Sequence, residues 1–338
     1  MVFTIPRTAS HLLLKLLNLQ EQHTLHRLAN NLDGYIFFPA AGPRFEYSLP
    51  GKPLIEWESE QVLALKSAMQ DSFSAWLKFI DESEYQSKGT FVKEHLNWMV
   101  DPLAEASLYG YQNVSSSNLP DFRLEWPPSQ NSSIGAKNEN NVTCLPDTFL
   151  LQRVKPTFLI RHPALTFPSC LRTAIDNQGV ESVTKDGDIN RWECTYHWSL
   201  LLYTFYTNAN AADFDRRSYV DEVQYPIVLD AQDLGDEALV KKYARAVGLD
   251  EEKVRFAWKA AGEEEVSKLG KVTKRMQSTI LASSGVEKKK LEVGELDIET
   301  LRGEWKAEFG EVLSERLIEL VEKSTFAYET LKSARLKT

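Results

Sequence analysis

The first residues with the means to do chemistry lie at the amino terminus, in the segment Pro6-Arg-Thr-Ala-Ser10. A short apolar run precedes this segment and a leucine-rich run follows it, which predicts a strand, a tight loop and a helix. Backbone N–H groups in such a loop and at a helix start converge on one point, where they attract phosphate or sulfate. Arg7 adds a positive charge there. An ordinary capped helix after a surface proline is the alternative.

A second candidate pair is Lys93 and His95, which stand two residues apart in the β-type run 91–96. Because alternate side chains of a strand point to the same face, this spacing brings an ammonium group and an imidazole together. A histidine with an ordinary pKa of about 6.5 can accept a hydroxyl proton. A solvated lysine on an edge strand is the alternative for this pair.

A third candidate pair follows the apolar run 157–160, which predicts a buried strand. Arg161 ends this strand, and a helix is predicted over Phe167 to Asn177 with Ser169 in its first turn. We expect Arg161 and Ser169 to bind a second anion at the carboxyl end of the sheet. Ligands of α/β proteins bind at that edge.

The elements that position these residues alternate between strands and helices along the chain. This alternation predicts an α/β fold with a central, mostly parallel sheet flanked by helices, formed by a single domain over residues 1–338. A long loop is expected at about 107–148, poorly ordered near 128–141, and a helical carboxyl-terminal region at 297–333. Other expected elements are a strand at 34–38, a lid-like loop at 39–58, helices at 58–81, 190–206, 237–247 and 251–261, a strand at 225–230, and an irregular charged segment at 262–295.

Aromatic residues suggest where an apolar substrate would bind. The helix expected at 190–206 carries aromatic side chains around most of its circumference, which indicates burial, although core packing explains most of these rings. The candidates for a substrate pocket are Trp98, Trp192, Tyr196 and Trp198.

Composition limits the classes of function. The 39 basic and 48 acidic residues give a net charge of -9, which disfavours nonspecific binding of nucleic acid. No apolar run of about 18 residues exists to span a membrane, so a soluble, cytoplasmic protein is expected. Three cysteines, Cys144, Cys170 and Cys194, are too few and too irregularly spaced for a disulfide framework or a zinc site. No metal is therefore expected.

Taken together, these segments resemble the P-loop sulfotransferase superfamily, and in particular divergent sulfotransferase-like proteins of fungi. Pro6-Arg-Thr-Ala-Ser10 is similar to the family loop Pro-[Lys/Arg]-[Ser/Thr]-Gly-[Ser/Thr], and Lys93-Glu-His95 is similar to its Lys-x-His strand. Arg161-His-Pro163 followed by Ser169 resembles its site for a 3′-phosphate. Arg302-Gly-Glu-Trp-Lys306 is similar to a shortened form of its carboxyl-terminal segment. The resemblance covers residues 5–331, with the 107–148 loop as an insertion.

The resemblance implies transfer of a sulfuryl group from 3′-phosphoadenosine 5′-phosphosulfate to a small-molecule hydroxyl, without a metal. It assigns the 5′-phosphate to Arg7 and to Thr8, Ala9, Ser10 and His11. It assigns the bridging oxygen to Lys93, the 3′-phosphate to Arg161 and Ser169, a further donor contact to Arg302, and the general base to His95. Three departures from the family pattern are that Ala9 replaces a glycine, that His11 stands where a hydroxyl residue is usual, and that the carboxyl-terminal Lys-Gly pair is not intact.

Two other functions remain open at this point. A phosphate-binding loop facing an aromatic cavity could ionise an organic diphosphate or drive an elimination or cyclisation, with aromatic faces stabilising a cation. The chain could also bind a nucleotide without turnover, although the presence of both Lys93 and His95 argues against this. For the acceptor, the aromatic content favours an apolar or phenolic small molecule. The sequence does not define the oligomeric state.

Overall fold

The computed structural model describes residues 1–27, 35–110, 119–126, 137–185, 191–220, 222–292, 294 and 296–338. The strands in these ranges are β1 (Val2–Thr4), β2 (Leu25–His26), β3 (Gly89–Thr90), β4 (Lys93–His95), β5 (Thr157–Ile160) and β6 (Ile227–Asp230). The helices are α1 (Ser10–Leu17), α2 (Phe38–Glu46), α3 (Ser59–Tyr85), α4 (Pro102–Leu108), α5 (Asp147–Arg153), α6 (Pro163–Gln178), α7 (Val180–Lys185), α8 (His197–Asn208), α9 (Glu237–Ala246), α10 (Glu263–Ser267), α11 (Lys271–Met276), α12 (Ser278–Ala282), α13 (Lys288–Leu291), α14 (Ile298–Phe309) and α15 (Glu311–Ser333). Within the same ranges, none of the helices has the length and apolar character that crossing a membrane requires.

Four strands form a parallel sheet in the order β4-β1-β5-β6. Val2 of β1 is in register with Lys93 of β4 on one side and with Thr157 of β5 on the other. All residues of these four strands are buried, as is typical of parallel sheets covered on both faces by helices. The predicted α/β class with a parallel central sheet is confirmed. Strands β2 and β3 form a separate parallel pair.

The position of β1 determines where a ligand would bind. Although β1 comes first in the chain, it lies inside the sheet between β4 and β5. After β1 the chain forms β4 on one side of β1 and later β5 on its other side. This change of side creates a topological switch point. Ligands of open α/β sheets bind in the crevice at such a point, beyond the carboxyl ends of the strands. The loop after β1 lies between the ends of β4 and β5.

Two long helices each bury an apolar stripe in the core. The apolar stripe predicted for residues 58–81 lies in α3, where Leu65, Met69, Phe73 and Trp76 are buried. Helix α15 packs against α6 and α8 through a second buried stripe. Both stripes repeat at three or four residues, as one buried face of a helix requires.

Residues 35–58 differ from the prediction. The strand expected at 34–38 is wrong for the described residues 35–38, because α2 begins at Phe38 with Pro39 in its first turn, where proline is favoured. The loop expected at 39–58 contains α2 and a 3-10 helix at Leu54–Glu56. Arg44 holds α2 in place because it is fully buried, pairs with Glu105 and donates to the Val100 carbonyl oxygen at 2.7 Å.

Four predicted elements after residue 160 also need correction. Helix α6 begins at Pro163 rather than Phe167, so Ser169 lies in its second turn. The continuous helix expected over 190–206 is wrong, since α8 begins at His197, whose N–H is bound by the Thr195 hydroxyl at 3.1 Å. The helix expected at 251–261 is only a 3-10 turn at Glu251–Lys253, whereas the segment 262–295 contains the helices α10 to α13.

Part of the 107–148 insertion packs against the core. Phe122 is fully buried, the Leu124 N–H donates to the Cys144 carbonyl oxygen at 3.0 Å, and the Trp126 ring lies 5.3 Å from the Phe149 ring. Most of the segment 128–141, for which poor order was expected, lies outside the described residues.

Candidate active site

The loop after β1 has the backbone shape of an anion-binding turn. Arg7 and Ala9 both have left-handed backbone conformations, with φ of 69° and 64°, and α1 begins at Ser10. Left-handed residues alternating with ordinary ones turn successive N–H groups toward one concave face, and the helix dipole adds partial positive charge. The Thr8 side chain is buried and donates to the Ile5 carbonyl oxygen at 3.0 Å, which stabilises the turn.

Two arginines meet on one side of this loop. Arg7 Nε donates to Ser169 Oγ at 3.0 Å, and Arg7 Nη1 donates to the Met276 carbonyl oxygen at 2.7 Å. Arg161 Nη1 donates to the Arg7 carbonyl oxygen at 3.2 Å, and Nη2 donates to that of Lys290 at 2.9 Å. Arg161 Nε is buried and has no hydrogen-bond partner among the described residues. An anion beside these side chains would accept from donors that are only partly satisfied.

The charges of both arginines are poorly solvated. Burial is the main cause that lowers the pKa of Arg7 and of Arg161, and repulsion from Arg7 lowers the pKa of Arg161 further. A bound phosphate would relieve both effects because it supplies the opposite charge. The Tyr196 hydroxyl fixes the backbone of Arg161, because it accepts from the Arg161 N–H at 2.9 Å and donates to the Arg161 carbonyl oxygen at 2.6 Å.

The end of β4 carries the imidazole on the other side of the loop. His95 Nδ1 lies 2.6 Å from Thr4 Oγ1, and Nε2 lies 3.1 Å from the Tyr35 hydroxyl. Burial, followed by the charges of Lys93, His11 and Arg7, lowers the pKa of His95 well below its ordinary value. Its ring is therefore neutral at neutral pH and able to accept a proton, as a general base must be.

Tyr35 connects the histidine to the lysine of the same strand. Lys93 Nζ lies 3.9 Å from the centre of the Tyr35 ring, within the range of a cation–π interaction. Lys93 and His95 thus converge on one tyrosine, as their spacing in the strand predicts. Lys93 is 1% exposed and does not line the cavity described next.

A cavity of about 540 Å³ connects the two sides of the site. Arg7, Ala9, Ser10 and His11 line it together with His95, Arg161 and Ser169. Its far wall comes from the segment 276–292, and Lys289 and Lys290 lie on this wall. The structure therefore brings together seven of the predicted site residues from three separate parts of the sequence.

Other predicted site residues lie away from the cavity lining. Trp192 and Trp198 are fully buried in the core, and Trp98 packs its ring 4.7 Å from that of His95. Tyr196 acts on Arg161 through the hydrogen bonds described above, and the Thr8 side chain points into the loop. Arg302 lies on α14, where its guanidinium is 3.7 Å from Glu299 and 3.8 Å from Glu322. These contacts direct the Arg302 charge toward carboxylates outside the lining.

Sequence reasoning missed three kinds of lining residue. Tyr35 falls in the strand expected at 34–38, Lys289 and Lys290 fall in the expected irregular segment, and Arg172 lies in the helix expected at 167–177 without an expected role. The lysine run was the available signal, because three adjacent cations in an acidic chain mark a local positive charge. Among the described residues, no cluster of three or more His, Cys, Asp or Glu side chains has the arrangement to hold a metal ion.

Comparison with known proteins gives relatives that match along nearly the whole chain. The sulfotransferase ppzF of Metarhizium rileyi (strain RCEF 4871) is 32% identical over 343 residues, which cover 99% of this chain and 95% of the relative. The sulfotransferase ppzF of Metarhizium majus (strain ARSEF 297) is 33% identical over 346 residues, which cover 99% of this chain and 96% of the relative. No family model matches the chain, and no solved structure matches it.

Proposed function

Since the chain belongs to the sulfotransferase family, we propose that it transfers the sulfuryl group of 3′-phosphoadenosine 5′-phosphosulfate to a hydroxyl of a small apolar or aromatic molecule. The observation that carries this proposal is the placement of an anion-binding loop between two further groups in one cavity. Arg161 lies on one side of the loop and His95 on the other.

The donor site in this proposal uses both arginines. Arg7 and the N–H groups of residues 8–12 hold the 5′-phosphate, while Arg161 and Ser169 hold the 3′-phosphate. Arginine suits both positions because its planar fork donates two parallel hydrogen bonds to a phosphate. The unpartnered Nε of Arg161 is one donor that a phosphate oxygen would satisfy. The far wall carries Lys289 and Lys290 together with Glu287, which pairs with Lys290 at 2.7 Å.

The transfer step depends on position and charge. Sulfuryl transfer, like phosphoryl transfer, places the attacking and leaving oxygens in line, so catalysis is mainly orientation and electrostatic stabilisation. His95 receives the acceptor proton. Lys93 contributes its charge from beneath the Tyr35 ring, 3.9 Å away. The role expected for Lys93 at the bridging oxygen would require Tyr35 to move aside.

The acceptor site lies on the β4 side of the loop. The Tyr35 and Trp98 rings are 5.0 Å apart, and Phe38, which is 53% exposed, lies 5.3 Å from Trp98. Aromatic faces beside His95 favour an apolar or planar acceptor over a polysaccharide.

A binding experiment tests the donor. Adenosine 3′,5′-bisphosphate at about 100 times its Kd should stabilise the protein by about 2.7 kcal/mol, and AMP at the same concentration should stabilise it less. Arg161→Ala should reduce this stabilisation, because it removes the charge assigned to the 3′-phosphate. Arg153→Ala is the matched control, since Arg153 forms a surface ion pair with Glu84 away from the cavity. Equal stabilisation by both nucleotides would contradict the assignment of the 3′-phosphate.

A turnover experiment tests the reaction. Wild-type protein is incubated with radiolabelled phosphosulfate donor and a panel of phenols and alcohols, and in parallel with prenyl diphosphates. Sulfated product that is lost in His95→Ala supports the proposal, with an expected decrease in turnover of about 100-fold or more. Product from the diphosphates alone would favour the cyclase or lyase function instead.

A further inference from the structure

We propose that Tyr35 is a further catalytic residue, whose hydroxyl relays the proton of the acceptor to Nε2 of His95. This inference rests on the proposed sulfuryl transfer and adds a step to it. It follows from the hydrogen bonds on both sides of the imidazole and from the position of Tyr35 on the cavity wall.

The hydrogen bonds of Thr4 assign the proton on the His95 ring. The Thr4 hydroxyl donates to the Glu94 carbonyl oxygen at 3.0 Å, and this uses its single hydrogen. Thr4 Oγ1 must therefore accept from the imidazole nitrogen 2.6 Å away, which is Nδ1 of His95. In the neutral ring only one nitrogen carries hydrogen, so Nε2 has the lone pair.

Tyr35 is the group at that lone pair. The Tyr35 hydroxyl is 3.1 Å from Nε2 and is therefore the donor in this bond. Tyr35 and His95 both line the cavity. An acceptor hydroxyl in the cavity consequently meets a basic nitrogen whose lone pair is already bound by Tyr35. The direct route for the proton passes through the tyrosine oxygen.

Glu94 and Lys93, two residues of β4, act on Tyr35 and its backbone. The Glu94 carboxylate accepts from the Phe37 N–H at 2.9 Å and thereby fixes the backbone two residues after Tyr35. The ammonium group of Lys93 lies over the face of the Tyr35 ring, where positive charge stabilises a phenolate. Lys93 thus favours the state in which Tyr35 has given up its proton.

In the relay, each bond that forms is matched by one that breaks. The acceptor oxygen forms a bond to sulfur while the bond between sulfur and the oxygen of the 5′-phosphate breaks, and the leaving phosphate keeps the electron pair. The acceptor proton moves to Tyr35 Oη as the Tyr35 proton moves to His95 Nε2. His95 becomes an imidazolium, with its Nδ1–H still donated to Thr4, and later releases one proton to water.

Tyr35→Phe tests the relay because it removes the hydroxyl and keeps the ring over Lys93. We expect kcat to decrease about tenfold or more for alcohols and less for acidic phenols, which lose their proton easily, while binding of adenosine 3′,5′-bisphosphate stays unchanged. Tyr243→Phe is the matched control, because the Tyr243 hydroxyl is buried and bonds to Thr157 outside the cavity. A Tyr35→Phe protein with equal or higher kcat would overturn the relay, since the hydroxyl would then be a spectator or a block.

A second measurement does not depend on turnover. Nitrogen NMR of the histidine rings should show His95 with hydrogen on Nδ1, and Tyr35→Phe should shift the Nε2 resonance toward that of an unbonded nitrogen. Hydrogen on Nε2 in the wild type would overturn the relay while leaving the sulfuryl transfer intact. Absence of sulfated product from the wild type with every acceptor would overturn both proposals.

Discussion

Replacing Ala9 by glycine tests the backbone shape of the anion-binding loop. Ala9 has φ of 64° and ψ of 25°, immediately before the first residue of α1. A side chain with a β carbon is disfavoured in this conformation by roughly 1–2 kcal/mol, whereas glycine adopts it freely. The loop therefore contains strain that one methyl group causes.

The expected magnitude comes from three terms. Removing the left-handed strain stabilises the folded protein by roughly 1–2 kcal/mol. Glycine stabilises the unfolded chain through its larger conformational entropy, by about 0.4–1 kcal/mol. Removing the half-buried Ala9 methyl costs a further few tenths of a kcal/mol, since full burial of one such group is worth about 0.8 kcal/mol. Ala9→Gly should therefore be stabilising by about 0.5 kcal/mol.

A matched substitution makes this small effect measurable. Ala75 is exposed in the middle of α3, so Ala75→Gly carries the same entropy term with no left-handed strain to relieve. Ala75→Gly should destabilise by about 0.5–1 kcal/mol. Urea unfolding should then give free energies of unfolding about 1 to 1.5 kcal/mol higher for Ala9→Gly than for Ala75→Gly.

The same pair of variants can refute the reasoning. If Ala9→Gly destabilises the protein as much as Ala75→Gly does, then Ala9 does not hold the left-handed conformation in solution. The concave arrangement of N–H groups inferred from that conformation would fail with it. Binding of adenosine 3′,5′-bisphosphate by Ala9→Gly, expected to equal or exceed that of the wild type, is the independent functional readout.

The buried histidines and the position of Arg302 each have a measurable consequence. Burial lowers the pKa of His11 and of His95 in the folded protein. Below about pH 6.5 the unfolded chain therefore binds more protons than the folded protein does. The free energy of unfolding should then fall with decreasing pH, by up to about 1.4 kcal/mol per pH unit for each ring. The free energy of unfolding, measured with urea between pH 5 and 8, should depend less steeply on pH in His95→Gln than in the wild type. An unchanged pH dependence would contradict the buried neutral ring. Arg302→Ala should leave the affinity for adenosine 3′,5′-bisphosphate within about twofold, because ion pairs to Glu299 and Glu322 hold Arg302 outside the cavity. A tenfold loss in calorimetry would restore its assignment to the donor site.

The parts of the site that sequence predicts are those that local pattern determines. The strand, loop and helix around Arg7 are continuous in the chain, and the spacing of Lys93 and His95 fixes their common face. Arg161 follows directly from the end of an apolar strand. In each case a few neighbouring residues carry the information, and the structure places the elements where the pattern indicates.

Tertiary contacts determine the parts that were missed. The aromatic run before Pro39 has β propensity, yet the Glu94 carboxylate and the packing of α2 on the core select a turn and a helix instead. Lys289 and Lys290 of α13 lie on the cavity wall, where the Lys290 carbonyl oxygen accepts from Arg161. Neither contact has a local signature, since the partners are about 60 to 130 residues apart in the chain.

The three groups of the site stand in a different order in the sheet than along the chain. Along the chain the loop at Arg7 comes first, followed by His95 and then Arg161, whereas in the sheet the loop lies between the other two. An in-line transfer needs the attacking group and the leaving group on opposite sides of the transferred one. With the proposed base at the end of β4 and the proposed second anion site at the end of β5, an acceptor would approach from the β4 side and the nucleotide would extend toward β5. Tyr35 stands on the β4 side, where the acceptor proton has to leave, and this is the position that a proton relay requires.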